Sequence, residues 1–415
     1  MTAIDATTPE LIPSLLPSLL AARAGGFRPS PVRDFWEVSM EPDVISLAGG
    51  NPDLSVLPLA ELGEVATRAI AERGLEVLQY GGGAGTPGAR EAAARTMAAE
   101  GVVADPQHVQ VTAGSQMALD LVVKLLCDPG DVILAEGPSY VGAIGLFVGM
   151  QVDVVHVPID DDGLVPAALE DTIARVRAEG RRIKALYTIP NFHNPSGVTL
   201  AAERRPEVVR ICRDAGITII EDNPYGLLSF DGTSQPSLQA MDPDNVIYLG
   251  SFSKVVAPGL RVGWAVAPEP MRRPLQLASE ATVICASVLS QAVVEEYVLR
   301  HDWLGVLGRA RSLYAGRAAA VLGALAATAP AGVTWSVPRG GFFTWVTLPE
   351  GTDVHRVLDA AIDRRVVFVP GSAFHADGSG ANQLRLAFSL EQEDVLVEGV
   401  TRLMAAVAEV AGLNG

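Results

Sequence analysis

The chain has 415 residues, 49% of them hydrophobic and 19% charged, which is enough apolar material for a sizeable core split between a large and a smaller domain. A formal charge of -17 and an isoelectric point of about 4.8 exclude the basic stripe that a nucleic-acid partner needs. Cys127, Cys212 and Cys285 are odd in number and far apart, and the six histidines are scattered, so neither a disulfide framework nor a metal site is expected.

The first residues carry Asp5 and Glu10 and are broken by Pro9, Pro13 and Pro17, unlike a signal peptide. No apolar run reaches membrane-spanning length, so a cytoplasmic protein without a membrane partner is expected. From 105 to 290, short apolar runs alternate with helix-length segments, the pattern of a mainly parallel sheet covered by helices. Strands are expected over 108–112, 131–135, 184–188, 217–220 and 246–249, with helices over 115–127 and 202–215. Beyond 290 one long helical stretch, 291–327, precedes strands over 333–336, 342–347 and 383–388 and a closing helix over 391–411. The expected division is a large α/β domain at 45–288 and a small α+β domain formed by 1–44 plus 289–415.

The segments that carry chemistry follow the strands. Gly83-Ala84-Gly85-Thr86-Pro87-Gly88 fits the dinucleotide pattern G-x-G-x-x-G. Its context does not, because a proline occupies the turn and no strand ending in an acid follows about twenty residues later. Thr112-Ala113-Gly114-Ser115-Gln116 enters a helix through a glycine, with Ser115 read as the N-cap. Free amides at that helix start seat a phosphate, although simple capping explains the serine equally well. Tyr140 can cover one face of a flat ring, or merely pack. Asn194, in Pro190-Asn191-Phe192-His193-Asn194-Pro195-Ser196-Gly197, is a neutral donor in what is also good turn chemistry.

Glu221-Asp222-Asn223-Pro224-Tyr225-Gly226 ends an apolar strand. Asp222 can keep a pyridine nitrogen protonated and Tyr225 can donate to a phenolate oxygen, while a turn accounts for the same residues. In Gly250-Ser251-Phe252-Ser253-Lys254, Ser251 and Ser253 join the nearby Arg261 in a grouping that wants an anion. Those cationic surroundings disfavour an ammonium on Lys254 and make it an amine nucleophile towards an aldehyde. In isolation Lys254 reads as an exposed loop lysine. Arg385 lies in an alternating strand: facing out it is a surface cation, and facing in it needs a partner such as a substrate carboxylate.

Together and in this order, these segments resemble fold-type I pyridoxal 5'-phosphate (PLP) enzymes of the class I/II aminotransferase group. The likeness is to the branch holding 2-aminoadipate-type aminotransferases and the aminotransferase-like domains of MocR-type regulators. It runs from Ile45 to Ser389 and is carried by Tyr80, 112–116, Tyr140, 190–197, 221–226, 250–254 and Arg385. The resemblance implies a mostly parallel seven-stranded sheet in the large domain beside a smaller α+β domain, with PLP as cofactor. It implies that Lys254 holds PLP as a Schiff base and later shuttles a proton, that Asp222 pairs with the pyridine nitrogen, that Asn194 and Tyr225 bind the phenolate oxygen, and that Tyr140 stacks on the ring. The phosphate falls to Ser115, Gln116, Ser251, Ser253 and Arg261, with Tyr80 reaching it from a partner subunit in a homodimer. Arg385, beside Asn194, binds the substrate carboxylate.

The implied reaction moves an amino group from an α-amino acid to a 2-oxo acid by a ping-pong route through the pyridoxamine form. The same cofactor residues also serve decarboxylation, elimination or replacement. A non-catalytic effector module like the sensor half of a MocR-type regulator is the other reading, although such a module is expected to follow a basic DNA-binding domain. Three positions depart from the branch: His193 stands where glutamine is frequent, Asn223 where a second aspartate is common, and Ala89 before Arg90 where leucine is usual. Residues 11–38 occupy the region that helps select side chains in the 2-aminoadipate type.

Overall fold

The computed structural model describes residues 19–27, 38 and 41–412. Most of the stretch 11–38 therefore lies outside the described residues. The strands are β1 (Ile45–Ser46), β2 (Val109–Thr112), β3 (Val132–Gly137), β4 (Asp153–Asp160), β5 (Gly163–Leu164), β6 (Ile183–Thr188), β7 (Thr218–Asp222), β8 (Val246–Ser251), β9 (Gly263–Val266), β10 (Thr334–Trp335), β11 (Phe343–Thr347), β12 (Val366–Val367), β13 (Val369–Pro370) and β14 (Gln383–Ala387).

The large sheet has the order β2-β9-β8-β7-β6-β3-β4-β5. Strands β8, β7, β6, β3 and β4 run parallel, and β9 is antiparallel to both of its neighbours. Seven strands make the body of this sheet, and the two-residue β5 folds back on β4 as an eighth. Alternate side chains of the parallel strands feed two cores. Ile133, Ala135, Tyr187, Ile220, Ile247 and Leu249 enter one, while Val132, Leu134, Leu186, Ile219 and Val246 enter the other. With both faces covered, nothing in these strands needs to be polar until they end, which is why they read as continuous apolar runs.

A second, antiparallel sheet has the order β10-β11-β14-β13, and β1 pairs in parallel with β12. The expected helix over 291–327 is two helices, Val288–Arg300 and Trp303–Thr328. His301 is extended (φ -114°, ψ 167°), and the Asp302 side chain accepts from the Gly305 amide to start the second helix. β4 escaped the sequence reading because most of its residues are partly or fully exposed and Pro158 interrupts its apolar pattern. None of the described helices is long and apolar enough to cross a membrane.

The segment after β1 joins β12 to β14 of the antiparallel sheet. Leu47 bonds to the Val367 carbonyl and accepts from the Ala387 amide, each at 2.8 Å. Six residues on, Asp53 meets the fully buried Arg317 at 2.6 Å, and Arg317 also donates to the Ser389 carbonyl at 2.7 Å. A buried guanidinium held this way is costly to leave unpaired, so the pair fixes the course of 47–53 past the ends of the parallel strands.

Candidate active site

Parallel strands bring their carboxyl ends to one edge, and ligand crevices form there. At that edge a cavity of about 330 Å³ is lined by Ser115, Gln116, Tyr140, Asn194, Asp222, Tyr225, Ser251, Ser253, Lys254, Arg261 and Arg385. Of the residues expected to bind cofactor or substrate, Tyr80 lies elsewhere: it is 74% exposed on the surface of the chain.

One end of the cavity suits an anion. The helix Ser115–Leu126 begins there, and its N-cap is Gly114 (φ 87°), not Ser115 as expected from sequence. A glycine is required twice over at this position, since the backbone is left-handed and a Cβ would stand 2.3 Å from Arg261 Nη2. Because the cap is a glycine, the Ser115 hydroxyl is not spent on the helix and the first amides stay open. Arg261 donates to the Ala113 carbonyl at 3.0 Å and reaches Ser253 Oγ at 3.4 Å, while Ser251 Oγ accepts from the Ser253 amide at 3.1 Å. The Gln116 amide nitrogen donates to the Gly142 carbonyl at 2.9 Å.

Lys254 follows β8 and reaches into the middle of the cavity. The chain has three lysines. Lys124 pairs with Asp120 and Lys184 with Asp131, whereas Lys254 donates to the Gly50 carbonyl at 2.7 Å and has no carboxylate partner among the described residues. Burial, then the charges of Arg385 and Arg261, bring its ammonium down from 10.5 to about 8. A substantial neutral fraction therefore exists near physiological pH.

Across the cavity, Asp222 ends β7 and is buried. Burial raises its carboxyl to about 6, opposed by a 2.8 Å hydrogen bond that Tyr187 donates to Oδ2. Its Oδ1 has no partner among the described residues. Burial pushes the Tyr225 phenol far above its ordinary range, so it stays a neutral donor. Arg385, 2% exposed, points inward, against the surface reading its strand suggested in isolation. It donates to Asn194 Oδ1 at 2.9 Å and to the Ala48 carbonyl, and its guanidinium lies between the rings of Phe343 (4.3 Å) and Phe374 (5.0 Å). Burial lowers it to about 10, where it remains cationic. Its Nε has no partner among the described residues.

Sequence reasoning passed over four contributors. Tyr187 was read as part of an apolar strand, Gly50 belongs to a segment with no motif, and Glu136 and His193 drew no catalytic reading. Glu136 accepts from the Ile189 amide at 2.8 Å and lies 3.2 Å from His193 Nε2, both nearly inaccessible. Glu136, at the end of β3 just before the segment that carries Tyr140, thus meets the loop after β6, which carries Asn194, chiefly through the Ile189 amide. Apart from the cavity, His156, His375 and Asp377 cluster, but both ring nitrogens of His156 are already engaged, by the Glu136 carbonyl and the Ala376 amide.

The family described as Aminotransferase class I and II matches residues 42–401. The chain is 36% identical over 389 residues to Aromatic-amino-acid aminotransferase 1 of Thermococcus litoralis, with 93% of each chain covered. It is also 36% identical over 395 residues to the 2-aminoadipate transaminase of Thermus thermophilus, covering 94% of this chain and 96% of the relative. The solved kynurenine aminotransferase of Pyrococcus horikoshii, in complex with PMP, superposes with a TM-score of 0.90 at 33% identity, over 95% of this chain and 98% of that one.

The residues present fit PLP. An unpartnered carboxylate oxygen awaits a proton-bearing nitrogen, an open helix start with two serines and an arginine awaits a phosphate, and an uncompensated lysine awaits an aldehyde.

The amine of Lys254 is expected to titrate near pH 8, losing its proton as pH rises through that value. Reductive methylation with 13C-formaldehyde followed by an NMR pH titration resolves the three lysines. Lys254 should show the lowest midpoint, and Arg385→Gln should move that midpoint upward by removing one of its two cationic neighbours.

Proposed function

The chain belongs to the class I and II aminotransferase family and is a PLP-dependent aminotransferase, and we propose that its reaction is run by Lys254, Asp222 and Tyr225 around one cofactor, with Arg385 as the substrate clamp. The observation that carries this reading is that, among the described residues, a lysine with no carboxylate partner and a carboxylate with no cationic partner line one cavity.

When bound, PLP supplies an aldehyde carbon that condenses with amines and a ring that draws electrons from the substrate Cα. In the proposal, Lys254 presents a neutral amine to that aldehyde. With its amine free, Lys254 would be the base placed to move a proton between the substrate Cα and the cofactor C4'. Asp222, as a carboxylate, keeps the pyridine nitrogen protonated. Tyr225 and the Asn194 side chain hold the phenolate oxygen: Asn194 Oδ1 is taken by Arg385, which leaves its Nδ2 as the donor. Tyr140 covers the ring. Ser115, Gln116, Ser251, Ser253 and Arg261 hold the phosphate by hydrogen bonds and charge. Arg385, pinned between two rings, offers its guanidinium to the α-carboxylate, and its depressed basicity reflects the burial a carboxylate would offset.

The proposal includes a homodimer with Tyr80 contributed across the interface. Leu75 (98% exposed), Leu78 and Tyr80 form an apolar edge that a single chain leaves in water, and a second copy is the partner that would cover it. Tyr80 also lies outside its own chain's cavity, as a residue serving a neighbour's site would.

A panel of amino acids, including aromatic ones and 2-aminoadipate, should convert the loaded enzyme to its pyridoxamine form. Decarboxylation or elimination products in place of that form would reject the assignment. Within the panel, Arg385→Ala should raise KM about ten- to a hundredfold, the worth of hydrogen bonds to a charged group, with little change in cofactor absorbance.

A mixed dimer of Tyr80→Phe and Lys254→Ala chains tests the shared site. If Tyr80 crosses the interface, the Lys254→Ala chain lends its intact tyrosine to the site that keeps Lys254, and about half of the wild-type activity results. Activity of about half that of the Tyr80→Phe homodimer would place Tyr80 in its own subunit's site.

A further inference from the structure

Asp222 has a single oxygen committed. Oδ2 accepts from the Tyr187 hydroxyl at 2.8 Å, and Oδ1, equally buried, has no partner among the described residues. Tyr187 projects from β6, the strand hydrogen-bonded to β7 on which Asp222 lies, and is completely buried. Its ring is held edge-on by Phe147 at 5.5 Å. The hydroxyl therefore has a fixed position before any ligand arrives.

We infer that Tyr187 is a positioning residue for the cofactor's ring nitrogen: it fixes one oxygen of Asp222 so that the other meets that nitrogen as an anion. This rests on the assignment of Asp222 to the pyridine nitrogen. The chemistry runs in a definite direction. A hydrogen bond donated to a carboxylate stabilises its ionised form and lowers its affinity for a proton. The proton of an Asp222–pyridine pair then stays on the ring nitrogen, which is where it makes the ring electron-poor. Burial acts the other way on Asp222, and Tyr187 is the group that opposes it. Burial, then the neighbouring Asp222, keeps the Tyr187 phenol far from ionising, so it remains a donor throughout. The groups around the pair are Tyr225 after β7, Lys254 across the cavity, and Tyr140 and Glu136 from the β3 side. Among the described residues, the hydrogen bond acting on the Asp222 carboxyl comes from Tyr187.

The alternative is that Tyr187 is only a core aromatic filling space against Phe147. Solid-state 15N NMR of the full-length holoenzyme, loaded with PLP labelled at the ring nitrogen, separates the two. The wild-type resonance should be that of a protonated pyridine. Tyr187→Phe keeps the ring and its packing, and should displace the resonance towards unprotonated pyridine while weakening PLP retention about tenfold, one hydrogen bond to a charged group. Phe147→Leu disturbs the packing but keeps the hydroxyl, and should leave the resonance in place.

An unchanged resonance in Tyr187→Phe, when Asp222→Asn does displace it, would overturn the inference and leave Asp222 in its role. So would an equal displacement by Phe147→Leu. If Asp222→Asn also left the resonance untouched, the assignment of Asp222 itself would fall, and that of Tyr187 with it.

Discussion

A partly buried lysine with no carboxylate partner among the described residues is the constraint around which this molecule is arranged. Taking an ammonium out of water is expensive, and an acid ordinarily offsets the cost; even Lys124 and Lys184, which keep more contact with water, each have one. Lys254 is instead given a carbonyl, from Gly50, and two cationic neighbours, Arg385 and Arg261. The remaining way to lower the cost is to lose the proton, and a neutral amine within reach of an aldehyde is a nucleophile. The features that frustrate Lys254 as a cation are the ones that suit the cavity to an anionic cofactor and a carboxylate substrate. Arg261 and the helix start behind Gly114 make one anion seat, and Arg385 makes another.

The fold delivers these groups from unrelated parts of the chain by one rule, that parallel strands finish at the same edge. Tyr140 follows β3, Asn194 follows β6, Asp222 ends β7, and Ser251 ends β8. Arg385 alone comes from the antiparallel sheet, and the segment 47–53 is what holds that sheet against the edge. Leu47 bonds to β12 and to β14 of the small sheet, Ala48 and Gly50 turn their carbonyls to Arg385 and Lys254, and Asp53 closes on Arg317. A close approach is needed throughout: a side chain at Gly50 would stand 2.5 Å from Phe343, one of the two rings enclosing Arg385.

Much of this was legible in the sequence, and the parts that were not share a cause. Strands covered on both faces announce themselves as apolar runs, so five of the large-sheet strands were read within a residue or two at their starts. The strand β4, with its exposed residues, was not, and neither was β9, although its four residues are buried. Motif residues could be named because they sit next to strand ends and glycines. What sequence could not show was direction: Arg385 reads as a surface cation until β11 and β13 are placed on either side of it. Ser115 looked like a helix cap until the left-handed Gly114 took that place. Tyr187, Glu136 and Gly50 act through partners 35, 53 and 204 residues away, and local pattern carries no record of such pairings.

The central claim is that Lys254 carries the cofactor. Reduction of the yellow holoenzyme with borohydride, followed by proteolysis and peptide mass spectrometry, reads this directly, because only three peptides can contain a lysine. The account predicts loss of the visible absorbance and one phosphopyridoxyl adduct, on the peptide containing Lys254. An adduct on Lys124 or Lys184, or full absorbance and turnover in Lys254→Ala, would contradict it.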